Sequence, residues 1–231
     1  GADDAASKFG SPGKPVYGYD VKLLDDQSGD ELTGGDVKGV VCVEGPLPPG
    51  CMQTVWRDDA RFVSTYWKQL NGKWVYSTFD WGVRDADGYY FILGRTDDVI
   101  NVAGHRLGTR EIEESIAGHP NIAEVAVVGV ADQLKGQVAM AFAVLKDAKL
   151  VADPAARLKL EGEVMKTVDG QLGAVARPAR IHFVSLLPKT RSGKMLRRAI
   201  QAVCEQRDPG DLTTMDDPTA LQQIRDLVAA K

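Results

Sequence analysis

The stretch TFDWGVRDADGYYFILGRTDDVINVAGHRLGTREIEESI, residues 78–116, changes character in its middle. Its first half is rich in aromatic and branched residues, broken by the turn signal Asp85-Ala86-Asp87-Gly88, and reads as paired strands. Its second half ends in a helical pattern. Thr109 is placed to cap, Glu111 and Glu113 fall in the first turn, and Ile112 and Ile116 share one face. Between the halves lie Gly94, Gly104 and Gly108, with Arg95 and Arg106 eleven apart. That pattern suits a loop held close to a ligand, and it equally suits an interdomain turn with surface ion pairs.

The change extends outward over the whole chain of 231 residues. All four Trp and all six Tyr precede residue 91, and only Phe142 and Phe183 follow it among aromatics. Residues 1–95 carry 10 Lys+Arg and 14 Asp+Glu, whereas residues 96–231 carry 18 of each. Two differently built units follow, 1–96 and 97–231. In the first, Val16–Leu24, Lys38–Glu44, Trp74–Phe79 and Tyr89–Leu93 read as strands, and Asp58–Leu70 as a helix; residues 1–15 read as a frayed start. In the second, a hairpin near Asp98–Arg106 precedes the helix from Thr109. Ile122–Val130 and Val138–Leu145 make another hairpin, a helix runs from Asp153 or Pro154 to about Leu172, Arg180–Val184 is a strand, and Met195–Cys204 a short basic helix. The fold class is α+β: a small, distorted antiparallel β-barrel or sheet followed by a compact α+β unit.

Composition closes several doors. No apolar run approaches the ~20 residues of a membrane span, and the N-terminal residues lack a signal-peptide pattern. Three scattered cysteines without a CxxC give neither a disulfide framework nor a zinc site, and fit a reduced, cytoplasmic setting. A net charge of -4 argues against general nucleic-acid binding.

The strongest chemical signal lies between Asp169 and Glu205, where there is no acidic residue and seven basic ones occur: Arg177, Arg180, Lys189, Arg191, Lys194, Arg197 and Arg198. Inside it, Leu187-Pro188-Lys189-Thr190-Arg191-Ser192-Gly193-Lys194 forms a turn that can approach an anion, with Lys194 projecting as a mobile point charge. A solvated basic face or a nucleic-acid patch is the bland alternative. No GxxxxGK[ST] phosphate loop is present. Asp80, at the end of an apolar strand and before Trp81-Gly82, can accept hydrogen bonds from ribose hydroxyls, or simply cap a turn. His105 alone reads as a packing residue.

In this order and spacing, residues 78–116, HPNIAEVAVVGVADQLKGQ (119–137), LPKTRSGKMLRR (187–198) and the tail DLTTMDDPTALQQI (211–224) resemble the C-terminal part of the adenylate-forming acyl-CoA synthetases. Within that superfamily they look like the acetyl- and propionyl-CoA synthetase branch, and EGPLPPGC (44–51) with TFDWG leans toward the propionate ligases. The resemblance implies a two-step ligation. A short-chain carboxylate attacks the α-phosphate of ATP, supplied with magnesium, to give an acyl-adenylate; the thiol of coenzyme A then displaces AMP. Residue by residue, it implies that Asp80 and Arg95 contact the ribose, Asp97 is a hinge for a small lid domain, Gly104 lines the pantetheine path, Arg106 lies near the nucleotide phosphate or lid interface, and Lys194 serves adenylation. The lysine matching Lys194 is also an acylation target in that family, so a lysine acyltransferase and deacylase are implied partners. An adenylation unit serving a carrier protein shares the pantetheine arm and stays open, as does an anion- or nucleic-acid-binding module.

The family's Ser/Thr/Gly-rich phosphate loop, adenine segment and acyl pocket are not found in this sequence. The expectation is a fragment, inactive alone, holding the last β-rich subdomain of the large domain and the whole lid. Some of its Trp and Tyr residues are then expected on an exposed apolar surface.

Overall fold

A computed structural model describes residues 6–70 and 72–229. The chain divides after Asp97 into two compact units. In the first, β1 (Asp20–Leu24), β2 (Val37–Glu44), α1 (Asp59–Tyr66), β3 (Trp67–Leu70), β4 (Lys73–Arg84) and β5 (Tyr90–Arg95) follow one another. All strand pairs are antiparallel, in the order β1-β2-β4, with β3 and β5 sharing the far edge of β4. The core is Leu23, Val41 and Tyr90, with Val21, Leu32 and Val37 packed around them.

Two expectations need correction here. The helix expected over Asp58–Leu70 stops at Tyr66, and residues 67–70 turn back as β3. Asp58 does cap α1, its carboxylate accepting from the Arg61 N–H at 2.9 Å. Beyond Tyr66, cross-strand aromatics outweigh helical spacing: Trp67 sits edge-on to Trp74 at 6.4 Å and to Tyr76 at 5.7 Å. The second correction concerns the N-terminal segment, of which residues 1–5 lie outside the described residues. Residues 8–13 are tied down. Lys8 pairs with Asp85 and Asp87, the Ser11 hydroxyl donates to the Tyr90 carbonyl, and Gly13 bridges Tyr90. Tyr17 and Trp56 stand almost fully exposed, and Trp74 half so.

The second unit contains β6 (Val99–Val102), β7 (His105–Gly108), α2 (Thr109–Ala117), β8 (Ile122–Asp132), β9 (Gly136–Leu145), α3 (Pro154–Leu172), β10 (Arg180–Val184), α4 (Arg197–Cys204) and α5 (Thr219–Ala229). Strand β9 is central. Antiparallel β8 lines one edge; on the other, β10 runs parallel along Met140–Val144 and β6 touches at Gly136. The near-continuous apolar run of β8 and β9 is explained by burial on both faces. Val127, Ala139, Ala141 and Ala143 point to one side, where Ile112 and Ile116 of α2 and Leu160, Val164 and Val168 of α3 cover them. Ala126, Val128, Met140 and Phe142 point to the other, under Ile200 and Val203 of α4 and Leu221 and Ile224 of α5. Thr109 is the first residue of α2 rather than its cap, and is buried; Gly108 precedes the helix, and the Glu111 carboxylate accepts from its N–H at 3.3 Å. The basic helix starts at Arg197, two residues later than expected, because Lys189 and Met195 pair as a bridge.

Candidate functional site

The structure gathers the singled-out residues at three places. The first is the β4–β5 ladder. Strand β4 carries an irregularity that places Asp80 opposite Val41 but Ser77 opposite Cys42, so Thr78 and Phe79 bulge out. The Thr78 hydroxyl secures the bulge, donating to the Val41 carbonyl at 2.7 Å and accepting from the Asp80 N–H at 3.1 Å. Phe79 has φ 60°, a conformation strained for an aromatic residue. Asp80 and Arg95 are register partners, and the Arg95 guanidinium lies between two carboxylates, 3.5 Å from Asp80 and 3.6 Å from Asp97. It also donates to the Thr78 carbonyl at 3.0 Å and lies over the Phe79 ring at 5.5 Å. All three charged side chains remain partly exposed, so they are oriented without being sealed off.

The second place is the β6–β7 hairpin. Val102 pairs with His105, leaving Ala103 and Gly104 as a two-residue turn with φ of 50° and 87°. Both are left-handed, as the turn that fits the strand twist requires. The Gly104 N–H donates to the Asn101 side chain at 3.1 Å, and the Ala103 N–H to the Lys135 carbonyl at 2.8 Å. A Cβ placed on Gly104 would meet nothing within 4 Å. Arg106 sits on β7 opposite Asn101, and His105 is exposed.

The third place is the turn after β10. The Thr190 N–H donates to the Lys194 carbonyl at 2.8 Å, the Lys194 N–H to the Thr190 hydroxyl at 3.0 Å, and Gly193 takes φ 83°. The basic stretch around it is largely neutralised. Arg177 pairs with Asp169, Arg180 with Glu161, Lys189 with Glu124 and Arg197 with Glu113, and Arg198 is engaged as well. Arg191 and Lys194, both exposed on the turn, are the cations of this stretch without an ion pair among the described residues. A broad basic face for nucleic acid is thus reduced to two adjacent charges on a hydroxyl-bearing turn.

Sequence reasoning missed the Glu113–Arg197 pair. The guanidinium donates to both carboxylate oxygens, at 2.9 Å and 2.6 Å from one nitrogen, and the Val127 N–H donates to the same carboxylate at 2.9 Å. One carboxylate therefore joins α2, β8 and the start of α4. Its legible signal was the first arginine of Leu196-Arg197-Arg198, followed by the apolar Ala199 and Ile200 at the helix start. Burial pushes the Cys42 thiol up to about 11, which disfavours its thiolate.

Residues 111–194 match the family described as the AMP-binding enzyme C-terminal domain. The matched residues lie wholly within the second unit. Over 226 residues, 98% of this chain, it is 64% identical to a propionate–CoA ligase of Salmonella typhimurium; it is 41% identical over 218 residues to an acetyl-coenzyme A synthetase of Pyrobaculum aerophilum. It spans 36% of the length of the first and 31% of the second, about a third of these curated relatives. Among solved structures, ATP-bound MatB from Rhodopseudomonas palustris matches with a TM-score of 0.69 at 28% identity, covering 87% of this chain and 37% of that one.

Proposed function

We propose that this chain belongs to an AMP-forming ligase that joins a short-chain carboxylate, propionate before acetate, to coenzyme A through an acyl-adenylate. The observation that carries the reading is the turn bearing Arg191 and Lys194, which have no ion pair among the described residues, whereas Lys189 and Arg197 on either side are paired. In-line attack on the α-phosphorus of ATP builds negative charge on its oxygens and on departing pyrophosphate, and a positioned ammonium stabilises that charge where it develops. Lys194 takes this role. Asp80 accepts hydrogen bonds from the ribose hydroxyls, with Arg95 beside it; magnesium accompanies the triphosphate. Asp97, the last residue of the first unit, is the pivot about which the lid turns between steps. The Gly104 turn then flanks the pantetheine arm of coenzyme A, whose thiol displaces AMP, and Arg106 lies toward the nucleotide phosphate. The preference for propionate follows the higher identity to the Salmonella enzyme. The exposed Lys194 ammonium is open to a lysine acyltransferase, and acylation would remove the charge that adenylation needs. A cytoplasmic setting fits the absence of any disulfide among the three cysteines and the absence of any described helix long and apolar enough to cross a membrane.

The test uses a hybrid ligase in which this chain replaces the matching residues of the Salmonella enzyme. Lys194→Ala should abolish propionate-dependent ATP–pyrophosphate exchange, while thioester formation from supplied propionyl-adenylate and coenzyme A persists. Equal loss of both half-reactions would sink the assignment.

A further inference from the structure

The Lys194 turn does not stand by itself. On one side Lys189 bridges Met195, closing the turn on itself; on the other Thr190 bridges Met215, from the segment that follows α4. Two main-chain hydrogen bonds flank that second bridge: the Arg191 N–H donates to the Thr214 carbonyl at 3.1 Å, and the Asp216 N–H to the Lys189 carbonyl at 2.9 Å. The stem of the turn is thus the middle strand of three short ones. The outer one is itself preformed. Asp211 accepts from the Thr213 N–H at 2.9 Å, the Met215 N–H donates to the Leu212 carbonyl at 2.9 Å, and Asp217 caps the start of α5 through the Thr219 N–H at 2.8 Å. Met215 is 6% exposed and packs in the core that contains Phe142, Ile200 and Ile224. The buried Met215, with the partly buried Leu212 beside it, therefore anchors a strand whose pairing among the described residues is with the stem of the turn.

We infer that the segment Leu212–Asp216 positions Lys194, with Met215 as the anchoring residue. The inference rests on the reading of Lys194 as the adenylation cation. A lysine has four rotatable bonds, so the direction of its ammonium depends on how firmly its Cα is held. Residues 191–194 are exposed, and among the described residues they are held by the turn's own hydrogen bonds, by the stem and by the bond from the Arg191 N–H to the Thr214 carbonyl of the outer strand. Misplacing a reacting group by about 1 Å lowers a rate by as much as 10²-fold. Losing the outer strand would free the stem on one side and loosen the turn without touching the lysine. Thioester formation does not call on Lys194, and is insulated from the change.

Amide hydrogen exchange on the 231-residue chain tests the contact directly. In Met215→Ala, the Arg191 amide should exchange at least ~10-fold faster, with β9 amides such as Phe142 still protected, and Met215→Leu should restore slow exchange. In the hybrid ligase, Met215→Ala should lower kcat of the adenylation half-reaction by ~10- to 100-fold at little-changed KM for ATP, and leave thioester formation from supplied propionyl-adenylate within ~3-fold. Should Met215→Ala unfold the unit, Asp216→Pro deletes one of the two hydrogen bonds without entering the core, and the same contrasts apply. Unchanged protection of Arg191, or parallel loss of both half-reactions in a variant whose β9 amides stay protected, overturns the inference. Lys194→Ala is measured alongside. If it leaves adenylation intact, the role of the lysine fails, and the exchange data alone decide whether the segment holds the turn.

Discussion

At Ala103 and Gly104 the chain turns with two successive left-handed residues. An alanine there carries about 1 kcal/mol of backbone strain, and a second side chain at Gly104 would add a similar amount. Space does not forbid it, since a Cβ on Gly104 meets no atom of this chain within 4 Å. Two consequences of substitution can therefore be separated. Backbone strain should be similar for any L side chain, whereas obstruction of an approaching pantetheine arm grows with side-chain size. We expect Gly104→Ala and Gly104→Leu to lose about the same stability in urea unfolding, ~1 kcal/mol, while thioester formation in the hybrid ligase falls far more for Leu than for Ala and adenylation changes little in either. Normal turnover of propionyl-adenylate with coenzyme A by Gly104→Leu would refute a role for this turn at the thiol. Asp80 differs in kind. Its position depends on the Thr78–Phe79 bulge, and alternation of residue types along β4 gives no sign that the register slips there; only the packing of Arg95 over Phe79 and against the Thr78 carbonyl reveals it.

Among the elements, the central hairpin β8–β9 and helix α3 were the most legible, because their patterns are long and have one interpretation. Asp153 before Pro154 and nineteen helical residues leave little choice. Helix α5 was readable and passed unread: Asp217-Pro218 before Ala220, Leu221, Ile224 and Val228 is a cap followed by an apolar face. Strand β3 was not readable, since four residues continuing a helical pattern become strand only through Trp74 and Tyr76 on the next strand. The ionic ties between elements were equally hidden, as they join residues far apart in the chain. Glu113 and Arg197 are the sharpest case, 84 positions apart, with side chains 11% and 24% exposed. Replacing Glu113 by Ala strands a largely buried guanidinium and the Val127 N–H together, and should destabilise the second unit by about 2–3 kcal/mol. In urea unfolding followed by circular dichroism, Glu113→Met with Arg197→Met together should lose clearly less than the sum of the two single changes. Additive losses would mean that the pair is not coupled.

Across the whole molecule, the same sign of electrostatic perturbation recurs in both units, and it sets the response to pH. In the first unit Glu44 is held below the usual carboxylate range by Lys73 and then Lys22, and Asp85 by Lys8. In the second, the Lys135 and Leu134 N–H groups lower Asp132, the Thr213 N–H lowers Asp211, and the Thr219 hydroxyl and N–H lower Asp217. A carboxyl whose folded-state pKa is depressed binds its proton more readily when unfolded. Its contribution is complete above the ordinary values of 4.5 for Glu and 3.8 for Asp, and drains away as pH falls through the lower, folded-state value. The lysines have the opposite sign. Lys8, raised chiefly by Asp85, and Lys22, raised chiefly by Glu44, contribute fully below 10.5 and lose that contribution as pH climbs through their raised values. Urea midpoints should therefore hold a plateau from about pH 5 to 9, decline below it as the carboxyls titrate, and decline again in strong alkali. All four Trp lie in the first unit, so their fluorescence follows that unit. Seen this way, Asp85→Asn should lower the plateau and flatten the acid limb together, because one carboxylate supplies both. An acid limb of unchanged slope in Asp85→Asn, or a midpoint that rises below pH 4, would show that the Lys8–Asp85 contact does not govern this unit's acid response.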